Sequence, residues 1–137
     1  MIRLIIAGPR SCTKNTSVFQ EVAKYITEIG GVDEIVTGGS TGVDLMAKQY
    51  ALQYQISYKE IIPNWQNDLN AAGIVRDTRM AEYGTHLLVF FNNESKESMH
   101  LLMQAEKNHL SIKKINAPDG RLPFGEQARV NRISLTL

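Results

Sequence analysis

The feature that most constrains the fold is a glycine-rich turn at residues 35–44, between a strand pattern and a helix pattern. A β-branched run ends at Thr37, glycines follow at 38, 39 and 42, and a helical pattern begins at once. The apolar positions of that pattern are spaced as one helix face, namely Val43, Met46, Ala47, Tyr50, Ala51 and Tyr54. Such a turn aims backbone N–H groups at an anion, because glycine has no Cβ to keep a ligand away. The block indicates the floor of a phosphate- or nucleotide-binding site; glycines that serve only tight packing are the alternative.

The rest of the chain repeats the alternation of strand and helix. Apolar runs predict five strands, near residues 3–7, 33–37, 57–62, 86–91 and 112–115, with helix patterns between them. The helix before the fourth strand is expected to start from a cap at Asp68 and to reach about Tyr83, with Gly84 as its stop. This order predicts one Rossmann-like α/β domain of three layers, with a mainly parallel five-stranded sheet and helices on both faces. Right-handed crossovers favour the strand order 3-2-1-4-5, and the charged third and fifth strands suit the edges.

The pattern changes at residue 116, so the sequence divides into a domain at 1–115 and a C-terminal extension at 116–137. Turn signals stand near Pro118 and Pro123. The extension is more apolar than a free tail requires, through Leu122, Phe124, Val130, Ile133, Leu135 and Leu137. We therefore expect the extension to pack on the domain or on a neighbouring subunit, and the protein to form a homo-oligomer.

Composition excludes several classes of protein. The chain has 137 residues, 43% hydrophobic and 21% charged, which is ordinary for a globular protein. No apolar run approaches the roughly 18 residues that a membrane span needs, so no membrane association is expected. The formal net charge of +1 argues against a strongly basic nucleic-acid binder and makes single-stranded DNA an unlikely partner. The single cysteine, Cys12, forms no internal disulfide and fits a cytoplasmic location; a nucleophilic role for it is the less favoured interpretation.

In a parallel sheet the ligand lies at the carboxyl ends of the strands, and polar residues gather at those ends here. Gly8 and Arg10 follow the first strand, and Trp65 follows the third, where it can stack on a base or pack in the core. Arg76 and Arg79 lie three apart on a helix. Guanidinium groups match phosphates, although surface pairing with Asp77 or Glu82 is the alternative for both. The sharpest prediction joins Arg10 to the turn residues Gly38, Gly39, Ser40, Thr41 and Gly42 in one anion pocket.

Candidate catalytic carboxylates are few: Asp44 at the start of the central helix, Glu94 and Glu97. Asp44 also suits the helix dipole, so a structural role competes with ribose binding or catalysis. His100 and His109, nine residues apart on an expected helix, do not have metal-ligand spacing, so no metal is predicted. A P-loop and the dinucleotide fingerprint G-x-G-x-x-G are both absent, so no cofactor is expected.

Three blocks in order resemble a known family: residues 6–10 (IAGPR), 36–44 (VTGGSTGVD) and 72–80 (AGIVRDTRM). They resemble the YspA-related (DUF2493) branch of the SLOG superfamily, the SMF/DprA–LOG group of Rossmann-like domains. The resemblance covers roughly residues 1–115, and its most specific part is the glycine block. It implies a nucleotide-related ligand held against the glycine turn.

Relatives in this superfamily include phosphoribohydrolases that cut the N-glycosidic bond of nucleoside monophosphates, single-stranded DNA binders and sensors of nucleotide-derived signals. This chain departs from the phosphoribohydrolases at residues 92–98 (NNESKES), where they carry a glycine-rich turn followed by the helix with the catalytic Glu. Glu97 is in no matching motif and does not inherit that role. We therefore expect binding of a nucleotide or nucleotide-derived signal, with N-glycosidic hydrolysis as the alternative and DNA binding as a weaker one.

Overall fold

Strands and helices alternate along the chain in the structure, a computed structural model that describes residues 1–13, 15–92 and 97–116. The strands are β1 (Arg3–Ala7), β2 (Glu34–Thr37), β3 (Ser57–Glu60), β4 (His86–Phe91) and β5 (Ser111–Asn116). The helices are α1 (Asn15–Ile29), α2 (Val43–Gln53), a short α3 (Trp65–Asp68), α4 (Ala72–Tyr83) and α5 (Glu97–Lys107).

The five strands form one sheet in the order β3-β2-β1-β4-β5, and every neighbouring pair is parallel. Leu4 at the centre is in register with Ile35 of β2 on one side and with His86 of β4 on the other. The predicted α/β class, strand order and edge positions are confirmed. Because all strands run the same way, their carboxyl ends meet at one edge, where the glycine turn lies.

Alternate residues of the central strands face two separate cores. Leu4 and Ile6 pack with α1 and α2, whereas Ile5 and Ala7 pack with α4 and α5 on the opposite face. Leu4, Ile5 and Ile6 are fully buried, and such side chains each stabilise a fold by about 1.5–3 kcal/mol. The continuous apolar run of β1 thus reflects burial on both faces.

The boundaries of α1 and α2 follow local chemistry. Gly30 and Gly31 have φ of 86° and 132°, and the N–H of Gly31 donates to the carbonyl oxygen of Ile26 over 2.9 Å, which ends α1. The helix face predicted for α2 is buried from Val43 to Ala51. Tyr54 is a correction, because it follows the last turn of α2 and is 54% exposed, with its ring 4.6 Å from that of Tyr50.

The segment before α4 also differs from its prediction. In place of one helix capped by Asp68, the chain forms α3, a 3-10 turn at Leu69–Ala71, and then α4. The Asn64 side chain accepts the N–H of Asn67 and caps α3, and Leu69 adopts a φ of 52°, which interrupts the helix. His109 is a further correction: it lies beyond α5 with a φ of 61°, so it does not share a helix with His100.

The predicted extension begins at Asn116, which is the last residue of β5. Residues 117–137, and with them the apolar positions behind the expected oligomer, lie outside the described residues. Among the helices that the structure does describe, none has the length and hydropathy of a membrane span.

Candidate functional site

Two loops meet at the carboxyl ends of β1 and β2. The N–H of Val43 donates to the carbonyl oxygen of Pro9 over 3.2 Å, and the Thr41 hydroxyl donates to the carbonyl oxygen of Arg10 over 3.4 Å. Gly42 has a φ of 70°, and a Cβ there would lie 2.2 Å from the Pro9 carbonyl oxygen. Only glycine fits at this contact, so Gly42 acts by letting the loop of Arg10 reach the glycine turn.

Gly8 permits a second close approach, because a Cβ on it would lie 2.8 Å from Val43 and 2.9 Å from Phe90. The first strand therefore ends directly against the start of α2. Cys12 follows in the same loop and is buried in the core. Its burial argues against the nucleophilic role considered from the sequence, since a reactive thiol needs access to its partner.

The glycine turn is tied to the edge strand by a chain of hydrogen bonds. The N–H of Gly39 donates to Thr37 Oγ1 over 3.2 Å, and Thr37 Oγ1 lies 2.6 Å from the Tyr58 hydroxyl. The Tyr58 hydroxyl in turn donates to Glu60 over 2.9 Å, so the Thr37 hydroxyl is the donor to Tyr58. Burial raises the pKa of Tyr58, which keeps this hydroxyl protonated. Gly39 itself has a φ of 77°, so the turn needs glycine for its backbone as well as for access.

Asp44 lies inside the turn rather than beside it. Only 6% of the residue is exposed, and its Oδ2 accepts the N–H of Ser40 over 3.2 Å. Burial raises the pKa of this carboxyl to about 6, although hydrogen bonding to the turn and the charge of Arg76 oppose the rise. Asp44 is therefore mostly ionised at neutral pH, and it both braces the turn and faces the site.

Arg76 reaches the turn from the other face of the sheet. Its Nη1 donates to the Gly38 carbonyl oxygen over 3.0 Å, and its Nε donates to Asp77 Oδ1 over 2.9 Å. The second oxygen of Asp77 lies 3.2 Å from Nδ1 of His100 on α5. Asp77 is 6% exposed, so the pairing considered from the sequence is present but buried, and it links α4, α5 and the turn.

Two depressions open beside these residues and share Arg10 and Ser40. The inner compartment holds about 50 Å³ and the outer depression about 480 Å³. The inner one is lined by Ala7, Gly8, Arg10, Ser40, Asp44, Arg76, Asp77, Met80, Ser98 and Leu101. The outer one is lined by Arg10, Gly38, Gly39, Ser40, Thr41, Ile62, Pro63 and Trp65.

Most of the residues proposed from the sequence therefore line one or both of these adjoining depressions. Arg10 is exposed, and among the residues that the structure describes its guanidinium has no hydrogen-bond or ion-pair partner. Trp65 is 60% exposed at the wall of the outer depression, so its core-packing alternative is wrong. Arg79 is exposed on α4 and lines neither depression.

The three carboxylates considered as catalytic candidates differ in where they lie relative to the depressions. Asp44 lines the inner compartment, Glu97 is the first residue of α5, and Glu94 lies outside the described residues. Sequence reasoning missed Asp77 and His100 as parts of the site, because their pairing depends on how α4 packs on α5. Within the described ranges, no group of three His, Cys, Asp or Glu side chains is arranged to hold a metal ion.

Residues 2–67 match the YAcAr family, described as the YspA, cpYpsA-related SLOG family. The family resemblance seen in the sequence is confirmed over this part of the chain, which includes the glycine turn, Arg10 and Asp44. No curated protein matches the chain significantly.

Two solved structures share the fold. DNA processing protein A from Helicobacter pylori, described with its single-stranded DNA binding mode, has a TM-score of 0.65 and 16% identity, with 88% of this chain and 68% of that chain covered. DNA processing protein A (DprA) from Streptococcus pneumoniae has a TM-score of 0.69 and 18% identity, with 90% and 53% covered. The chain thus spans about half the length of the pneumococcal structure. At these identities the likeness concerns the fold alone.

Proposed function

From the similarity of residues 2–67 to the YspA, cpYpsA-related SLOG family, we propose that this domain binds a nucleotide or nucleotide-derived signal molecule at the carboxyl ends of β1 and β2. One observation carries the proposal. Arg10 is exposed, lines both depressions, and makes no hydrogen bond or ion pair with the described residues. A guanidinium left in this position suits a phosphate, which it can bind with two parallel hydrogen bonds.

The outer depression offers an apolar surface for the base of such a ligand. Trp65 and Ile62 are exposed apolar residues in the same lining as Arg10, with exposed fractions of 60% and 59%. Stacking of a base on an aromatic ring contributes about 1–3 kcal/mol and accepts any base. We therefore assign the phosphate to Arg10, with the Thr41 hydroxyl nearby, and the base to Trp65.

Single-stranded DNA is the second candidate, favoured by the open shape of the outer depression. The expectation that DNA is an unlikely partner is not supported, since a structure with the same fold is that of a protein described with a single-stranded DNA binding mode. The net charge on which that expectation depended describes the whole chain, whereas a strand of DNA responds to local charge.

The chain offers a direct test, because Trp65 is its single tryptophan. Titration with AMP, GMP, CMP and UMP should change the Trp65 fluorescence with saturation, because the base covers an exposed indole. Chromatography of the same mixtures for free base decides whether the nucleotide is also hydrolysed. No response to any of the four would contradict the proposal.

A parallel titration with short oligothymidine distinguishes the second candidate. Binding that tightens with length and weakens steeply as salt rises indicates DNA, because each phosphate contact releases counterions. Binding of mononucleotides with a shallow salt dependence indicates the first candidate. Arg79→Ala is the matched control in both titrations, since it removes an exposed arginine that lines neither depression.

A further inference from the structure

The inner compartment and the outer depression differ in size and in charge. At about 50 Å³ the inner compartment is much smaller than the outer depression, which holds about 480 Å³, so a base fits the outer depression better and the inner compartment suits a small group. Two buried carboxylates, Asp44 and Asp77, line the inner compartment. Arg10, whose guanidinium makes no hydrogen bond or ion pair with the described residues, is exposed and lines both spaces.

The hydrogen bonds show which of the two carboxylates can still accept a hydrogen bond from a ligand. Both oxygens of Asp77 are engaged, by Arg76 at 2.9 Å and by His100 at 3.2 Å. Asp44 accepts the Ser40 N–H and has hydrogen bonding to the Gly38 backbone, but an ionised carboxylate has about four acceptor positions. Asp44 therefore has acceptor positions left beside the compartment that it lines.

A phosphate is unsuited to this compartment, because the charge of Arg76 is already matched by Asp77 and the charge of Asp44 would repel an anion. A neutral hydrogen-bond donor suits it well. Hydrogen bonds to a charged acceptor are also the stronger kind, so a hydroxyl donating to Asp44 would contribute measurably to affinity.

We infer that the inner compartment takes the sugar hydroxyls of a ribonucleotide, with Asp44 accepting from the 2′-hydroxyl while the phosphate stays at Arg10. The inference depends on the proposed function and narrows it: the ligand class is ribonucleotides, and the same compartment discriminates against DNA. Asp44 acts here as a binding residue with a specificity role.

The test compares matched pairs, AMP with 2′-deoxy-AMP and GMP with 2′-deoxy-GMP, by Trp65 fluorescence at pH 7.5. In the natural protein each deoxynucleotide should bind about ten- to a hundred-fold more weakly, as expected for the loss of one hydrogen bond to a charged group. In Asp44→Asn the preference should fall to about threefold or less, because a neutral amide makes a weaker bond. Glu28→Gln, the same change at an exposed pair with Lys113, should leave the preference unchanged.

The outcomes separate the two proposals. Equal binding of ribo- and deoxyribonucleotides by the natural protein would overturn the inference and leave the proposed function standing. A preference that survives in Asp44→Asn would overturn the role of Asp44. If no nucleotide binds at all, the proposed function fails and the inference fails with it. The comparison in the natural protein needs no variant, so it is decisive even if Asp44→Asn folds poorly.

Discussion

Arg10 and Arg76 are both arginines at the same site, yet they differ in their hydrogen-bond partners. Arg76 is committed to the Gly38 carbonyl and to Asp77, so it holds the turn in place. Arg10 is exposed and has no such commitment among the described residues, so its charge is available to a ligand. Position relative to the turn, which the sequence does not display, separates the arginine that holds the turn from the one that we propose for ligand binding.

Replacing Arg10 by alanine should therefore weaken nucleotide binding about ten- to a hundred-fold, the usual loss for one charge-assisted contact. Stability should change little, because the side chain is exposed. Calorimetric titration beside Arg79→Ala measures the effect. Equal affinities of the two variants would show that the phosphate does not contact Arg10.

The sequence predicted most of the elements because their signals are local. Strands such as β1 and β4 are continuous apolar runs, and the closely spaced glycines at 38, 39 and 42 indicate a tight turn. The interruption at Leu69 was not predictable, because a positive φ at a leucine is imposed by the surrounding fold. The Asp77–His100 contact was missed for a related reason, since it exists only after α4 and α5 pack together.

Alanine substitutions at a glycine of the turn and at a glycine of α4 should change the stability of the protein in opposite directions. Gly42→Ala should destabilise the protein strongly, because its Cβ would lie 2.2 Å from backbone and its φ is +70°. Gly73→Ala, in the first turn of α4 with nothing within 4 Å of the added Cβ, should stabilise it by about 0.5–1 kcal/mol. Urea unfolding of both variants tests this, and a stable Gly42→Ala would refute the close approach of the two loops.

Gly39 lines the outer depression, but it is a poor position at which to test ligand binding by substitution. A Gly39→Val substitution would add a side chain to this lining. With a φ of 77° and a Cβ 2.8 Å from Ile62, the substitution would strain the turn itself. Loss of binding in such a variant would therefore not report on the pocket, which is why Arg10 and Asp44 are the better targets.

At the scale of the whole molecule, the ionised Asp44 should make stability depend on pH. Its pKa is raised from 3.8 to about 6 by burial, so the folded state keeps a proton that the unfolded state has lost. The contribution of Asp44 to stability is full below pH 3.8 and falls as the pH rises to about 6. The total change is about 3 kcal/mol, taking 1.36 kcal/mol for each pKa unit.

Unfolding free energies at pH 4.5 and 7.5, compared between the natural protein and Asp44→Asn, isolate this effect. The decrease in unfolding free energy with rising pH should be smaller in the variant. Glu21 and His86, whose pKa values shift in opposite directions, are present in both proteins, so the comparison cancels their contributions. Identical pH profiles for the two proteins would show that Asp44 is not buried as a carboxylate.

The hydrogen-bond chain from Gly39 through Thr37 and Tyr58 to Glu60 has a consequence for how a ligand meets this protein. Glycine turns are entropically costly to order, since glycine loses more conformational freedom than any other residue. Here that ordering is completed during folding, because the turn is fastened to an edge strand that forms with the sheet. A ligand arriving at the opening would thus meet a preorganised surface, and more of its interaction energy would appear as affinity.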